Sequence, residues 1–315
     1  MLLSGKPHIG IVGAGLMGHG LAQVFALKGC DVAIYDRDEN VLSACLNRVR
    51  DNLNVFVRLG LVVADEIEPA LKRIHPAGSL AEMCRERAFI IEAVIENLAV
   101  KRQVFSQLEG LVPSETILSS NTSAIQISHI AEGLRHPERV LGTHFWNPPH
   151  IVPCVEVIKG DRTADEVFEA VYGLMARVGK APVRVLKDVP GFLGNRMQHA
   201  LWREAIKLVE NGIASAEDVD KVVKSAFGLR LAFLGPLETA DLAGLDLTHS
   251  VHADLLQHLD RSTAPSPLLE AKLERGETGA KSGCGFHRWP PEKLKRVVEQ
   301  RDSVLLRILQ QVNGE

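Results

Sequence analysis

The first regular stretch of the chain reads His8-Ile9-Gly10-Ile11-Val12-Gly13-Ala14-Gly15-Leu16-Met17-Gly18. The apolar, β-branched run predicts a strand, and the mostly apolar residues 21–27 predict a helix after the glycines. Gly13 suits a tight turn, Gly15 the close approach of a pyrophosphate, and Gly18 the close packing of helix on strand. Strand, glycine turn and helix together predict a Rossmann-type unit with phosphates at a helix N-terminus.

The second predicted strand, residues 31–36, bears on which dinucleotide binds. It ends in Asp36, about 20 residues after the glycines, where an acid reaches the adenosine ribose hydroxyls. Asp36 would repel a 2′-phosphate, which favours NAD over NADP. Arg37 leaves the alternative open, because an arginine there could accept that phosphate or lie over the adenine. The predicted cofactor contacts in this region are Gly13, Ala14, Gly15, Leu16, Met17, Gly18, Asp36 and Arg37.

Polar side chains follow two further predicted strands, residues 89–94 and 116–120. Glu96 comes after the first of them, and residues 121–123, Asn-Thr-Ser, come after the second. Residues at the carboxyl ends of parallel strands face the crevice where such sheets bind ligands. The alternative is that residues 121–123 cap a helix from Ala124 onward, a frequent position for these residue types.

Composition narrows the class of protein. With 315 residues the chain suits two domains, and 46% hydrophobic and 24% charged residues are ordinary for a globular protein. A net charge of -3 without a basic cluster argues against nucleic acid or an anionic membrane as the main partner. No run approaches the roughly 18 apolar residues of a membrane-spanning helix.

The cysteines and the N-terminus indicate the compartment. The five cysteines lack a C-x-x-C spacing, which disfavours a zinc site or a disulfide framework and favours a reducing cytoplasm. The residues before Lys6 are too few for a signal peptide. We therefore expect a cytoplasmic, unexported protein with no metal.

The candidate catalytic residues lie in the stretch 143–156. It pairs His144 with Glu156 across a turn that contains Pro148 and Pro149. A histidine whose charge is set by a carboxylate can accept a proton near neutral pH, because its ordinary pKa is roughly 6.5. The alternative is that both residues are structural, which for an isolated histidine is the commoner case. Their separation fits two short strands joined by the proline turn.

The second half of the chain predicts helices over 197–210 and 216–227, and over 237–259 with an interruption at Gly244. The apolar stripe of the first of these helices could pack within its domain or against a second subunit. The regular pattern breaks at residues 187–191, Lys-Asp-Val-Pro-Gly. We therefore predict an α/β Rossmann-type doubly wound sheet as residues 1–188 and an all-helical substrate and dimerisation domain as residues 189–315.

Taken in order, these motifs resemble the 3-hydroxyacyl-CoA dehydrogenase family. The similarity rests on the glycine turn, Asp36, residues 92–97, residues 120–123, residues 144–148 and Glu156, and it continues through residues 188–196 and 281–286. It implies a homodimeric NAD-dependent enzyme of the kind found in fatty acid metabolism, which oxidises the CH–OH group of a 3-hydroxy acid or its CoA thioester to the 3-oxo compound.

The resemblance also implies roles for individual residues. His144 would take the hydroxyl proton while hydride leaves the same carbon for NAD, and Glu156 would orient the imidazole and steady its charge. Ser123 and Asn195 would hydrogen-bond the substrate oxygen. Four further residues match cofactor-lining positions of the family: Glu96, Lys101, Asn121 and Lys281. A solvated loop lysine is the alternative for Lys281.

Other features depart from the acyl-CoA enzymes of the family. Their helix corresponding to residues 48–60 is lysine-rich and helps to hold the CoA phosphates, and here the lysines are absent. Residues 146–150 and 228–236 are more similar to a branch that acts on free hydroxy acids, with carnitine dehydrogenase, gulonate 3-dehydrogenase or lambda-crystallin, and a pyridine-carboxylate dehydrogenase. Arg230 is the candidate for gripping a free carboxylate, or else a surface arginine at a helix end. A non-catalytic, crystallin-like NAD-binding protein is the alternative of another class.

Overall fold

The computed structural model describes residues 2–312, and a single eight-stranded sheet lies at the centre of the fold. The strands are β1 Ile9–Val12, β2 Val32–Tyr35, β3 Ile74–Pro76, β4 Phe89–Glu92, β5 Ile117–Ser120, β6 Val140–Phe145, β7 Cys154–Ile158 and β8 Ala181–Val185. Their order in the sheet is β3-β2-β1-β4-β5-β6-β7-β8. All neighbouring pairs are parallel except β6 and β7, which are antiparallel.

Helices cover both faces of this sheet. They are α1 Gly18–Leu27, α2 Glu39–Ser43, α3 Cys45–Arg58, α4 Ile67–Lys72, α5 Leu80–Met83, α6 Leu98–Leu111, α7 Ile127–Ile130 and α8 Asp165–Arg177. Successive strand residues point to opposite faces, so Phe89 and Ile91 belong to one hydrophobic cluster and Ile90 to the other. The first cluster includes residues of α1, α3 and α8, and the second includes residues of α6 and α7. The prediction of a doubly wound Rossmann-type sheet is confirmed.

The chain divides into two compact units, one of residues 1–196 and 302–315 and the other of residues 197–301. The elements from α9 onward are α9 Gly194–Glu210, α10 Ala216–Ser225, α11 Phe227–Arg230, α12 Pro236–Ala243, α13 Leu245–Leu255, α14 Pro267–Glu274 and α15 Pro291–Val312. The prediction of a helical second part is confirmed, including the interruption at Gly244, which has φ +98°.

Some elements differ from the sequence-based expectation. Residues 39–58, where the sequence analysis placed no break, form two helices, α2 and α3, that are divided at Ala44. β3 has only three residues, and β8 is an edge strand with an exposed middle, so neither carries the apolar alternation that predicts a strand. Residues 121–123 do not cap a helix at Ala124, because α7 begins at Ile127 after Gln126. Among the described residues, no helix is long and apolar enough to cross a membrane.

Candidate active site

His144 and Glu156 face each other across the antiparallel pair β6 and β7. The strand register places these two residues directly opposite, and His144 Nδ1 lies 2.7 Å from Glu156 Oε2. Both side chains are buried. A carboxylate only accepts hydrogen bonds, so Nδ1 carries the proton of this bond. The other ring nitrogen, Nε2, takes no part in this bond.

The second carboxylate oxygen of Glu156 fixes the pair to the start of α9. Oε1 accepts hydrogen bonds from the backbone N–H groups of Leu193, at 2.9 Å, and Gly194, at 3.0 Å. Burial by itself would raise the pKa of Glu156, but the hydrogen bonds from His144, Gly194 and Leu193 together lower it. Glu156 is therefore ionised at neutral pH and can stabilise a positive charge on His144.

Two aromatic rings enclose the imidazole of His144. The ring centroids lie 5.0 Å away for Trp146 and 5.9 Å away for Phe192. Phe192 is fully buried and has φ +50°, a conformation that is uncommon for a non-glycine residue. A Cβ on Gly194 would lie 2.2 Å from Trp146 Cζ2, so only glycine fits there. Sequence reasoning assigned no role to Phe192, although it lies within residues 188–196, which resemble the family.

Ser123 and Asn195 are brought together at the start of α9, where Asn195 follows Gly194. Asn195 Nδ2 donates to the backbone carbonyl of Ser123 at 2.7 Å, which leaves the exposed Ser123 hydroxyl available to a ligand. The backbone N–H of Ser123 donates to Glu96 Oε1 at 2.9 Å. The predicted substrate residues and a predicted cofactor residue therefore form one connected group.

A buried ion pair between Lys101 and Glu92 contacts Glu96. Lys101 Nζ lies 2.8 Å from Glu92 Oε1 and 3.3 Å from Glu96 Oε2, and Lys101 and Glu92 are almost fully buried. Glu92 Oε2 accepts from Ser120 Oγ at 2.6 Å. No role had been assigned to Glu92 from the sequence, although an acid at the end of an apolar strand is a signal, because a buried carboxylate needs a partner. Lys101 supplies that partner.

The remaining contacts set the charge of Glu96 and the position of Asn121. Burial would raise the pKa of Glu96, but hydrogen bonding from Thr122, the charge of Lys101 and the N–H groups of Ser123 and Ala124 lower it. Asn121 Oδ1 accepts from the backbone N–H of Phe145 at 2.8 Å, which ties the end of β5 to the residue after His144.

The glycine turn fits the pyrophosphate of NAD. Gly13 has φ +102°, and a Cβ on Gly18 would lie 1.7 Å from the Gly13 carbonyl oxygen. A Cβ on Gly15 would meet no described atom within 4 Å, so the backbone there is open to a ligand. Within the described residues no side chain caps α1 and its first turn has no acid, so its N-terminus is free to bind an anion.

The acid predicted for the ribose lies beside this turn. Asp36 Oδ2 accepts from the backbone N–H of Ala14 at 2.7 Å. Leu16 and Arg37 are exposed, and Met17 packs partly against the core. Arg230, the last residue of α11, and Lys281, between α14 and α15, are exposed residues of the second unit. Among the described residues, no group of three or more metal-ligating side chains is placed to hold a metal.

A Rossmann sheet with an open glycine turn and a buried His–Glu pair defines an NAD-dependent dehydrogenase that acts on a hydroxyl group. The family model described as 3-hydroxyacyl-CoA dehydrogenase, NAD binding domain, matches residues 8–189. The model of that family's C-terminal domain matches residues 191–289. The chain belongs to the 3-hydroxyacyl-CoA dehydrogenase family.

The relatives differ in how much of the chain they match. The 5-formyl-3-hydroxy-2-methylpyridine 4-carboxylate 5-dehydrogenase of Mesorhizobium japonicum is 35% identical over 98% of each chain. A lambda-crystallin homolog of Mus musculus is 38% identical over 95% of this chain and 94% of its own. A probable 3-hydroxybutyryl-CoA dehydrogenase of Deinococcus radiodurans is 36% identical, and 89% of this chain covers 99% of it.

A solved structure of a pyridine-carboxylate dehydrogenase is also similar to this chain. It is that of a 5-formyl-3-hydroxy-2-methylpyridine 4-carboxylic acid 5-dehydrogenase, an NAD⁺-dependent dismutase. It superposes with a TM-score of 0.92 at 33% identity and covers 99% of this chain and 100% of its own. The similarity therefore extends beyond the family models, which end at residue 289.

Proposed function

We propose that this enzyme oxidises the hydroxyl-bearing carbon of a small free carboxylic acid, with His144 as the general base and Glu156 as its partner. The observation that carries the reaction is the buried hydrogen bond of 2.7 Å between His144 Nδ1 and Glu156 Oε2. When bound, NAD supplies the hydride acceptor. The protein itself must bind the alcohol, orient it and remove one proton.

The base chemistry follows from the hydrogen bonds of the pair. His144 donates through Nδ1 to Glu156, so Nε2 takes the hydroxyl proton and the ring becomes positively charged. Glu156 is held as a carboxylate by the amides of Leu193 and Gly194, and its charge stabilises that imidazolium. The low exposure of both side chains strengthens this stabilisation, because buried charges are less screened by water.

The remaining site residues bind and orient. Ser123 and Asn195, which share a hydrogen bond, would hold the substrate oxygen at His144. NAD would be held by the glycine turn, with Asp36 and Arg37 at the adenosine end, and by the following four residues: Glu96, Lys101, Asn121 and Lys281. Two observations favour these roles. The backbone at Gly15 has open space beside it, and the ion pair with Glu92 holds Lys101 in place.

The free-acid substrate class is favoured by the match over 98% of both chains to the pyridine-carboxylate dehydrogenase. In water, an aldehyde such as the formyl group of that relative's substrate adds a water molecule to form a geminal diol. The diol presents a C–OH group to the same base. Arg230 is the proposed carboxylate ligand, because a guanidinium can bind both carboxylate oxygens. A 3-hydroxyacyl-CoA thioester is the second candidate, favoured by the Deinococcus radiodurans relative.

The alternative of another class is a non-catalytic NAD-binding protein, suggested by the lambda-crystallin homolog. The presence of Ser123, His144, Glu156 and Asn195 together argues against it, because binding NAD alone requires neither a base nor a partner for the base.

We also propose a homodimer in a reducing cytoplasm. The five cysteines are free, and large apolar side chains of the second unit are exposed.

A substrate panel tests the proposal. Purified protein with NAD is followed by NADH absorbance against hydroxy acids, hydroxymethyl- and formyl-pyridine carboxylates, and 3-hydroxybutyryl-CoA. We expect turnover with a carboxylate-bearing ring compound and a raised KM in Arg230→Ala, with Arg261→Ala, another exposed arginine of the second unit, as the control. Turnover of the thioester alone would contradict the free-acid proposal, and NAD binding without any turnover would favour the non-catalytic alternative.

A further inference from the structure

The C-terminal helix α15 begins where the family models end. The second family model stops at residue 289, and α15 runs over Pro291–Val312. The 3-hydroxybutyryl-CoA dehydrogenase relative is matched over 99% of its length by 89% of this chain, whereas the pyridine-carboxylate dehydrogenase matches over 98% of both chains. α15 therefore lies outside the two matched family models but within the match to the pyridine-carboxylate dehydrogenase.

The last turns of α15 pack on the first unit, to which residues 302–315 belong. Leu306 is 1% exposed and forms a hydrophobic cluster with Phe56 of α3 and Ile151. Partly buried residues pack around it: Val55, Leu59, Leu61, Val62 and Leu305. Gln310 Nε2 donates to the carbonyl oxygen of Leu59, the residue that follows α3, and so satisfies a carbonyl that the helix leaves unpaired.

This cluster includes part of the loop that joins the two catalytic strands. Ile151 lies between β6, which carries His144, and β7, which carries Glu156. Its neighbour His150 packs its ring against Phe56, with centroids 5.9 Å apart. The end of α15 therefore covers a surface formed by the catalytic loop and the end of α3.

We propose that residues 302–310 are a specificity element that covers the α3 and loop surface against the long tail of a CoA thioester and so restricts the site to small free acids. This inference rests on the proposed function for its substrate class. A small acid needs only the space around His144. A thioester must carry its pantetheine and nucleotide across the protein surface away from the reacting carbon, and a helix whose apolar face covers the surface of α3 and the catalytic loop would obstruct a route over that surface.

The experiment measures binding of 3-hydroxybutyryl-CoA by titration calorimetry, so it does not depend on turnover. The variants are Leu306→Glu, which places a charge in the apolar cluster, and the milder Leu306→Ala in case the first does not fold. Val304→Ala, at a position of the same helix that is 44% exposed, is the matched control. We expect at least about a tenfold gain in thioester affinity in the folded Leu306 variants and none in the control, since tenfold corresponds to the loss of a modest steric barrier.

Thioester binding as weak in both folded Leu306 variants as in the wild type would overturn the inference, and so would tight thioester binding by the wild type. Turnover of the free acids is measured in parallel on the same proteins. Its absence in the wild type would contradict the proposed function while leaving the affinity comparison readable.

Discussion

Glu156 accepts hydrogen bonds from three donors of the site, namely the His144 ring and the backbone N–H groups of Leu193 and Gly194. Its pKa in the folded protein is below its ordinary value of 4.5. A group with a lowered folded pKa stabilises the fold above its unfolded pKa, and this stabilisation is lost as the pH falls through the folded pKa. Acid below pH 4.5 should therefore weaken the site and the fold together.

We predict that Glu156→Gln lowers kcat and flattens the loss of unfolding free energy in acid. The amide keeps the shape but cannot stabilise a charged His144 or titrate between neutral pH and acid. Urea unfolding measured near pH 7 and near pH 4 gives the comparison. Glu169→Gln is the control, because Glu169 is an exposed partner of Arg184 and exposed ion pairs add little to the stability of the fold. An acid dependence in Glu156→Gln as steep as in the wild type would contradict the role of this carboxylate.

Single residues also mark the limit of sequence reasoning. The pairing of His144 with Glu156 was predictable, because the two residues lie on short strands joined by a proline turn. Antiparallel pairing of such strands brings these positions together. Phe192 and Glu92 were assigned no role. Phe192 has φ +50° and its ring lies 5.9 Å from that of His144, and a positive φ at a non-glycine residue is set by the packed surroundings rather than by the local residue type.

At the scale of elements, the turn between β1 and α1 contains one glycine that the fold requires and another that NAD binding requires. Gly18 has no room for a Cβ, because the Gly13 carbonyl oxygen would lie 1.7 Å away, whereas Gly15 has open space. We predict that Gly18→Ala lowers both the melting temperature and NAD affinity. Gly15→Ala should keep the melting temperature of the ligand-free protein and lose NAD affinity, because its methyl group would occupy the space where the pyrophosphate approaches.

Thermal unfolding and NAD titration of both variants check this prediction. Gly110→Ala, on the exposed part of α6 where a Cβ meets no described atom within 4 Å, is the control for a harmless added methyl group. Unchanged NAD affinity in Gly15→Ala would show that the phosphates do not approach this turn.

The elements that the sequence predicted well are those with strong periodicity or turn chemistry. β1, α1 and β2 were evident from the apolar runs and glycines, and the sheet order then follows the usual Rossmann connection. β8 was missed because its middle residues are exposed and it lies at the sheet edge. Its pairing with β7 depends on tertiary neighbours, which a local pattern does not contain.

At the scale of the whole molecule, the second unit leaves large apolar side chains in contact with solvent. Phe233 is 71% exposed, Leu237 is 80% exposed and Leu242 is 73% exposed. Exposed apolar residues in such number on one unit support the proposed homodimer, because large apolar patches often lie at interfaces between subunits. The apolar stripe of the helix predicted over 197–210 does not identify its partner, because amphipathicity specifies which face is buried and not what buries it. The same reason explains why the cluster around Leu306 was not foreseen.

We predict a homodimer that dissociates when these side chains are made polar. Phe233→Asp with Leu237→Asp should shift the mass measured by light scattering from dimer to monomer at micromolar concentration, because burying two carboxylates in an apolar interface is unfavourable. Arg261→Asp, at an exposed polar position of the same unit, should leave the mass unchanged. A wild-type protein that is already monomeric at that concentration would contradict the proposed assembly.

The most direct test of the central claim is the rate of NADH formation in His144→Gln with NAD affinity measured on the same protein. The amide cannot accept the hydroxyl proton as a base, so we predict a fall in kcat of about 10²–10⁴-fold, the usual contribution of a general base, with an unchanged dissociation constant for NAD. The substrate is the best acid or alcohol of the panel. Near-normal turnover in His144→Gln would contradict the assignment of the base and with it the proposed mechanism.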